Sequence, residues 1–250
     1  MFKVLDAYSL KARFFPALIA IIPALAALAI LISWSKFGLT NLIATVAIPV
    51  LVYAFADTAR RLGKRIENRI YAASGGKPSL TMLRYSDDSF DAASKAQYRG
   101  FLSSKINQPV PTEQDEKDKP KEVDAFYERC GAWLRENTRS ANKFSVLFNE
   151  NVTYGFRRNL LGLKWPTLGL NLIIVLTCAF ILYRQGMVDV NDDLTLRLLI
   201  VIAFAIIHAI YMAFAVSTRS VIDASRTYSR QLILSCETFL GKGKPKAAKS

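Results

Sequence analysis

The chain's 250 residues carry 33 Lys and Arg against 20 Asp and Glu, a net charge of +13 with its single histidine neutral. Three dispersed cysteines, Cys130, Cys178 and Cys236, argue against a disulfide framework, and one histidine without a CxxC pair argues against a zinc site. Charge of this size in a soluble domain would point to nucleic acid, but four apolar stretches free of acidic and basic residues place the chain elsewhere.

In chain order, residues 1–13 hold Lys3, Lys11 and Arg13 against Asp6. Phe14–Trp34 follows, 21 residues long. With Ala24-Leu25-Ala26 inside it, this run could be mistaken for a secretory signal. It exceeds a signal core of about 7–15 residues and turns directly into a second apolar run, so an uncleaved signal-anchor is expected. The short connection Ser35–Gly38 carries only Lys36, and Leu39–Ala56 adds 18 apolar residues. A helix needs about 20 such residues to cross a hydrocarbon core of roughly 30 Å, and lipid offers backbone amides no water to bond. Pro16, Pro23 and Pro49 should kink these first two spans.

The second span is expected to continue as a helix to Ala72, because Leu62, Ile66 and Ile70 keep a spacing of four and no proline intervenes. Arg60, Arg61, Lys64 and Arg65 then project just beyond the membrane. Ser74-Gly75-Gly76-Lys77-Pro78 should end that helix. Ser89 is the candidate cap of a helix over Phe90–Lys105 with Phe90, Ala93, Tyr98, Phe101 and Leu102 near one face. Asn107–Lys121 is mixed in charge and nearly free of large apolar groups, so it is expected to be a poorly ordered loop. A helix over Glu122–Thr138 carries the stripe Phe126, Cys130, Trp133, Leu134. Strand signals are confined to Thr81–Arg84 and Phe144–Phe148.

Two further apolar runs, Trp165–Tyr183 and Leu198–Val216, are each 19 residues long. Between them Arg184–Arg197 holds Asp189, Asp192 and Asp193 and only its flanking arginines. Basic residues crowd the other connections: Arg157, Arg158 and Lys164 before the third span, and Arg219, Arg226, Arg230, Lys242, Lys244, Lys246 and Lys249 after the fourth. Positive charge is retained on the cytoplasmic side. Both termini and the middle segment are therefore expected inside, with two short loops outside. The fold class is an all-α membrane protein: four transmembrane helices as two hairpins, with a mostly helical cytoplasmic insert between the second and third. The segments are 1–13, 14–56, 57–164, 165–216 and 217–250, the last a helix with a basic, disordered tail.

Catalytic motifs are missing: there is no P-loop, Rossmann glycine pattern, GxSxG or HExxH. Asp87, Asp88 and Asp91 would matter to an enzyme only as a metal site, and a solvated turn ahead of a helix explains them as well. Gly75-Gly76 reads more readily as a turn than as a phosphate cradle. No catalytic residue, metal or cofactor is expected. The insert 57–164 has 20 basic and 14 acidic residues, a net of +6. Arg60, Arg61, Lys64, Arg65, Arg157 and Arg158 are the candidate ligand contacts, since guanidinium grips phosphate and the neighbouring Tyr154 and Phe156 could stack on bases. A belt bonded to lipid headgroups explains the same residues.

Within the fourth span His208 lies among Phe204, Tyr211 and Met212, and these four are the candidate pore residues. Three readings compete for His208: a pore-facing gate or pH-sensitive element, an interhelical hydrogen bond, and an interfacial position. Ala205, Ala209 and Ala213 form a small-residue stripe suited to close helix contact. Asn41, Thr45, Asn171 and Thr177 could satisfy one another across helices.

The stretches DTARRLGKRIENRIYAASGGKPSLTMLR (57–84), WLRENTR (133–139) and ENVTYGFRRNLLGLK (150–164) resemble a family of small bacterial inner-membrane proteins. The chain is similar to the channel-forming membrane subunit of the Hailong type of anti-phage system. That resemblance implies an oligomeric ion channel, a tetramer being favoured, gated through its cytoplasmic part and depolarising the inner membrane during infection. It further implies a nucleotidyltransferase partner and an anionic nucleotide or oligonucleotide ligand. The alternative expectation is a non-conducting membrane scaffold that recruits a cytoplasmic partner.

Overall fold

The computed structural model describes residues 7–31, 40–186 and 189–241, without the side chains of residues 40–49 and 51. Met1–Asp6, the connection Ser35–Gly38, the tail from Lys242, and the side chains of Asn41, Thr45 and Pro49 fall outside the described residues. The described chain is all helix: α1 (Ala7–Leu31), α2 (Thr40–Ala73), α3 (Pro78–Thr81), α4 (Ala92–Ile106), α5 (Glu113–Asp118), α6 (Pro120–Asn137), α7 (Ser145–Gln185), α8 (Asp193–Phe214) and α9 (Thr218–Leu240). Among them α1, α7 and α8 are long and apolar enough to cross a membrane. The chain divides into two compact units, one of Met1–Asn68 with Gly155–Val221 and one of Arg69–Tyr154 with Ile222–Ser250.

The first unit holds the apolar helices. Its large side chains face outward in number: Trp165, Ile173 and Phe180 on α7 and Ile207 and Phe214 on α8 are all well exposed. Water would penalise such a surface and lipid would not. Proline explains a polar contact here. Pro16 has no N–H to return to the Ala12 carbonyl, and α1 opens into a π-helical turn over Leu10–Phe14. The buried Asn159 of α7 fills the gap, donating its Nδ2 to the Ala12 carbonyl at 2.6 Å. Glycine lets α2 and α7 meet. A Cβ on Gly162 would stand 2.5 Å from the Gly63 nitrogen, and one on Gly63 would stand 2.6 Å from Asn159 Oδ1. The exposed helix ends are tied by cations: Lys164 Nζ donates to the Ala213 and Val216 carbonyls at 2.8 Å each, and Arg197 to the Ile30 carbonyl at 3.3 Å. Asp192 caps α8 through the Thr195 amide at 2.9 Å.

The second unit has an aromatic core. Leu83, Leu102, Phe126, Tyr127, Cys130, Leu134, Leu232, Ile233 and Cys236 are buried together. The expected stripe on α6 therefore faces inward, with Trp133 at its edge, 5.7 Å from Phe101 and 5.3 Å from Phe239 between ring centres. The C-terminal helix supplies Leu232, Ile233 and Cys236 to this core, so residues 222–240 belong with the insert and not to a separate terminal segment.

Several local expectations are corrected. Asp91, not Ser89, caps α4: its carboxylate accepts the Ser94 amide at 2.9 Å, and the Ser94 hydroxyl and amide hold that carboxyl below the usual range. Asp87 instead accepts the Ser89 amide at 2.8 Å. The Asn107–Lys121 segment is ordered and contains α5. Thr112 and Asp115 form a reciprocal capping box. Glu116 accepts the Tyr127 hydroxyl at 2.6 Å and the Tyr85 amide at 3.1 Å. Neither strand signal forms a strand. Thr81 closes α3, and Phe144 ends the turn ahead of α7, its amide on the Ser140 carbonyl at 2.9 Å, with residues 145–148 helical. As expected, α2 runs on to Ala73, and Gly75 and Gly76 end the turn at φ +74° and +128°.

Burial pushes the Cys130 thiol up to about 12 and that of Cys236 to about 12 as well, the latter helped by Cys130 and Glu237. The folded state holds these protons more tightly than the unfolded chain. Its stability is therefore expected to fall as pH rises from about 9 towards 12. Melting curves across that range check this, as does thiol labelling at pH 8 followed by peptide mass analysis. A flat profile together with rapid native labelling of both cysteines would contradict it.

Candidate functional site

The exposed face of α2 is the first place where the candidate residues gather. Arg60, Arg61, Lys64 and Arg65 are all exposed there, while Ala56, Ala59 and Gly63 turn inward. Positions i, i+1, i+4 and i+5 occupy one side of a helix, which makes this a continuous cationic stripe. Among the described residues only Arg61 of these four has an acid at hand, Asp57 at 3.0 Å. Arg157 of α7 is exposed too and donates to the Ser220 carbonyl at 3.2 Å.

Arg158 behaves differently from the residue beside it. It is buried, its Nη1 meets Glu67 Oε2 at 2.5 Å, and its Nε and Nη2 reach Asn159 Oδ1 at 3.3 and 3.2 Å. The guanidinium is a structural cation that ties α7 to α2, not one presented to a solvent ligand. Tyr154 offers no open face for a base either. It is buried, stacks on Tyr228 at 6.0 Å, and shares a hydrogen bond of 2.7 Å with Tyr71, which is also 2.7 Å from Ser225 Oγ.

The second place lies within the apolar helices. Asn171 of α7 and His208 of α8 are both buried, and Asn171 Nδ2 donates to His208 Nδ1 at 3.1 Å. This is the interhelical hydrogen bond among the three readings of His208. It leaves His208 Nε2 and Asn171 Oδ1 buried without a hydrogen bond of ordinary length. The ring also faces the backbone of Ile19, whose carbonyl Pro23 cannot serve because it lacks an N–H. Met212 is fully buried, whereas Phe204 and Tyr211 are exposed. His208 therefore sits where the packed side of α8 meets its open side, 6.3 Å from the Tyr211 ring. Thr177 is exposed and takes no part.

Sequence reasoning missed two buried cations in the second unit. Lys95 donates to the carbonyls of Arg84 and Tyr85 at 3.1 Å each and of Asp87 at 2.5 Å. Arg99 lies 3.6 Å above the Tyr85 ring and donates to the Leu83 carbonyl at 3.2 Å. Together they hold the turn 83–88 that carries Asp87 and Asp88. An unmet buried carbonyl costs about 1–3 kcal/mol, so Lys95 has a structural reason to be there. Beside this turn a cavity of 360 Å³ opens between Arg84, Tyr85, Glu116, Lys117 and Asp124, with Arg84 and Asp124 paired at 2.5 Å. Among the described residues no three His, Cys, Asp or Glu side chains are grouped to hold a metal ion. Comparison with family models, curated proteins and solved structures returned no match.

Proposed function

We propose that this chain is the subunit of a gated ion channel in a bacterial inner membrane. In this reading four spans form two hairpins, both termini face the cytoplasm, and several copies, four being favoured, surround a conduction path. The observation that carries it is the Asn171–His208 pair. Polar side chains buried in helices of membrane length are costly and commonly mark ion or substrate pathways, and among the described residues His208 Nε2 and Asn171 Oδ1 find no hydrogen bond of ordinary length.

The cationic face of α2 with Arg157 supports an anionic, nucleotide-derived ligand as the gating signal. A nucleotidyltransferase would supply it, and depolarisation during phage infection would be the outcome. The outward apolar side chains of α7 and α8 leave room for both lipid and further copies. A non-conducting scaffold is the second reading. Its support is the well-packed helical second unit, which presents open grooves such as the 460 Å³ cleft between Pro109, Val110, Glu122, Phe126 and Arg129.

Ion flux into proteoliposomes separates the two. The channel reading expects flux above that of empty vesicles and an altered unitary current in His208→Ala. Unchanged unitary currents would remove His208 from the pore, and absence of flux would favour the scaffold.

A further inference from the structure

A pocket of 260 Å³ lies in the first unit between the π-helical turn of α1 and the α2 segment 53–60. Its lining includes Ser9, Arg13, Phe14, Tyr53, Asp57 and Arg60. Three features make it a site for an oxyanion. Its charge is positive, because Asp57 is engaged by Arg61 at 3.0 Å and, among the described residues, no acid pairs with Arg13 or Arg60. Its arginine is pre-positioned: the Arg13 guanidinium stands 5.6 Å over the Tyr8 ring. Tyr8 in turn is wedged against α7, where a Cβ on Gly155 would come within 2.8 Å of its hydroxyl oxygen.

Its level along the helices is the third. Arg13 immediately precedes the apolar run that begins at Phe14, and Arg60 stands four residues beyond Ala56, where the second apolar run ends. Tyr53, well exposed, is the kind of amphipathic ring that settles at a membrane–water boundary. A π-helical turn at the same spot adds weight, since such turns recur at functional positions.

We propose that this pocket binds the phosphate of a phosphoester, gripped between the Arg13 and Arg60 guanidiniums, with the headgroup of an anionic lipid as its occupant. Two guanidiniums converging on one phosphate give charge-assisted, directional hydrogen bonds, and basic pockets at the cytoplasmic ends of membrane helices hold anionic headgroups. The site shares Arg60 with the cationic stripe of α2. It is read without any current, so its failure and that of the channel reading are told apart.

The test uses the full chain in nanodiscs of phosphatidylcholine with increasing phosphatidylglycerol, read by melting temperature and by native mass spectrometry of retained lipid. Phosphatidylglycerol is expected to raise the melting temperature by several degrees and to remain bound to the wild type and to Lys11→Gln, a change of equal charge on the same turn. Arg13→Gln/Arg60→Gln is expected to lose at least tenfold of the retained lipid. Arg60→Gln alone, altered only on an exposed face, keeps the test valid if the double variant does not fold. Soluble glycerol phosphate that displaces the lipid and protects the wild type equally would support the same phosphate chemistry with a soluble ester as its source. Equal protection by phosphatidylcholine alone, or full lipid retention by the arginine variants, would overturn the proposal.

Discussion

Arg158→Ala is expected to destabilise the first unit by about 3–5 kcal/mol, the range for removing one partner of a buried ion pair. Glu67, a mostly buried carboxylate, would lose its Arg158 partner, and Asn159 Oδ1 would lose both of its Arg158 donors. A loss of that size is a large share of the roughly 5–15 kcal/mol that holds a typical domain together. Thermal melts in detergent should show a strongly lowered midpoint and poor recovery of folded protein. Adding Glu67→Gln to the same chain is expected to restore part of the loss, because the mostly buried group that faced Arg158 then carries no charge. A normal midpoint in Arg158→Ala would mean that the guanidinium is available for other work, which would return it to the set of ligand contacts beside Arg157.

The second large effect belongs to Gly162. In Gly162→Ala the new methyl would lie 2.5 Å from the Gly63 nitrogen and 3.0 Å from its Cα, all of it backbone. No rotamer relieves such a clash, so α2 and α7 must separate. Overpacking of this kind costs about 1–3 kcal/mol and sometimes more. Asn159 would be displaced with the helices, and its bond to the Ala12 carbonyl with it. Gly169, seven residues further along α7, has open space around it, and Gly169→Ala is expected to be neutral or to gain up to about 1 kcal/mol from helix propensity. Melting midpoints of the two variants compare one substitution on one helix in two settings. Equal midpoints would refute the close crossing.

The contrast between these glycines shows where a single sequence runs out. Both are a glycine inside a helical pattern, and only the partner helix distinguishes them. The long runs were readable because their signal is local: Leu62, Ile66 and Ile70 carry α2 past the apolar stretch, and Gly75-Gly76 with Pro78 stop it. The α6 stripe was readable for the same reason. Asn107–Lys121 misled because its few apolar groups suggested disorder, while its order comes from polar bonds, the Thr112–Asp115 box and the Glu116 contacts to Tyr85 and Tyr127.

Charge was the least transparent signal in the candidate site. Arg157 and Arg158 are adjacent and identical in type, yet one is exposed and the other buried, since neighbours on a helix point about 100° apart. Lys95 and Arg99 were invisible as core residues because burying a cation is normally prohibitive. Here the turn 83–88 turns its carbonyls inward to meet them. His208 stands out in the sequence as a polar residue within an apolar run, but its partner Asn171 lies on another helix, 37 positions earlier in the chain.

The conducting reading is tested most directly by membrane potential in bacterial cells producing the chain, followed with a voltage-sensitive dye, alone and together with the products of neighbouring genes. The account predicts depolarisation that a neighbouring product triggers or suppresses, weakened in His208→Ala. An undisturbed potential under every condition, with the protein shown to be in the membrane, would contradict it.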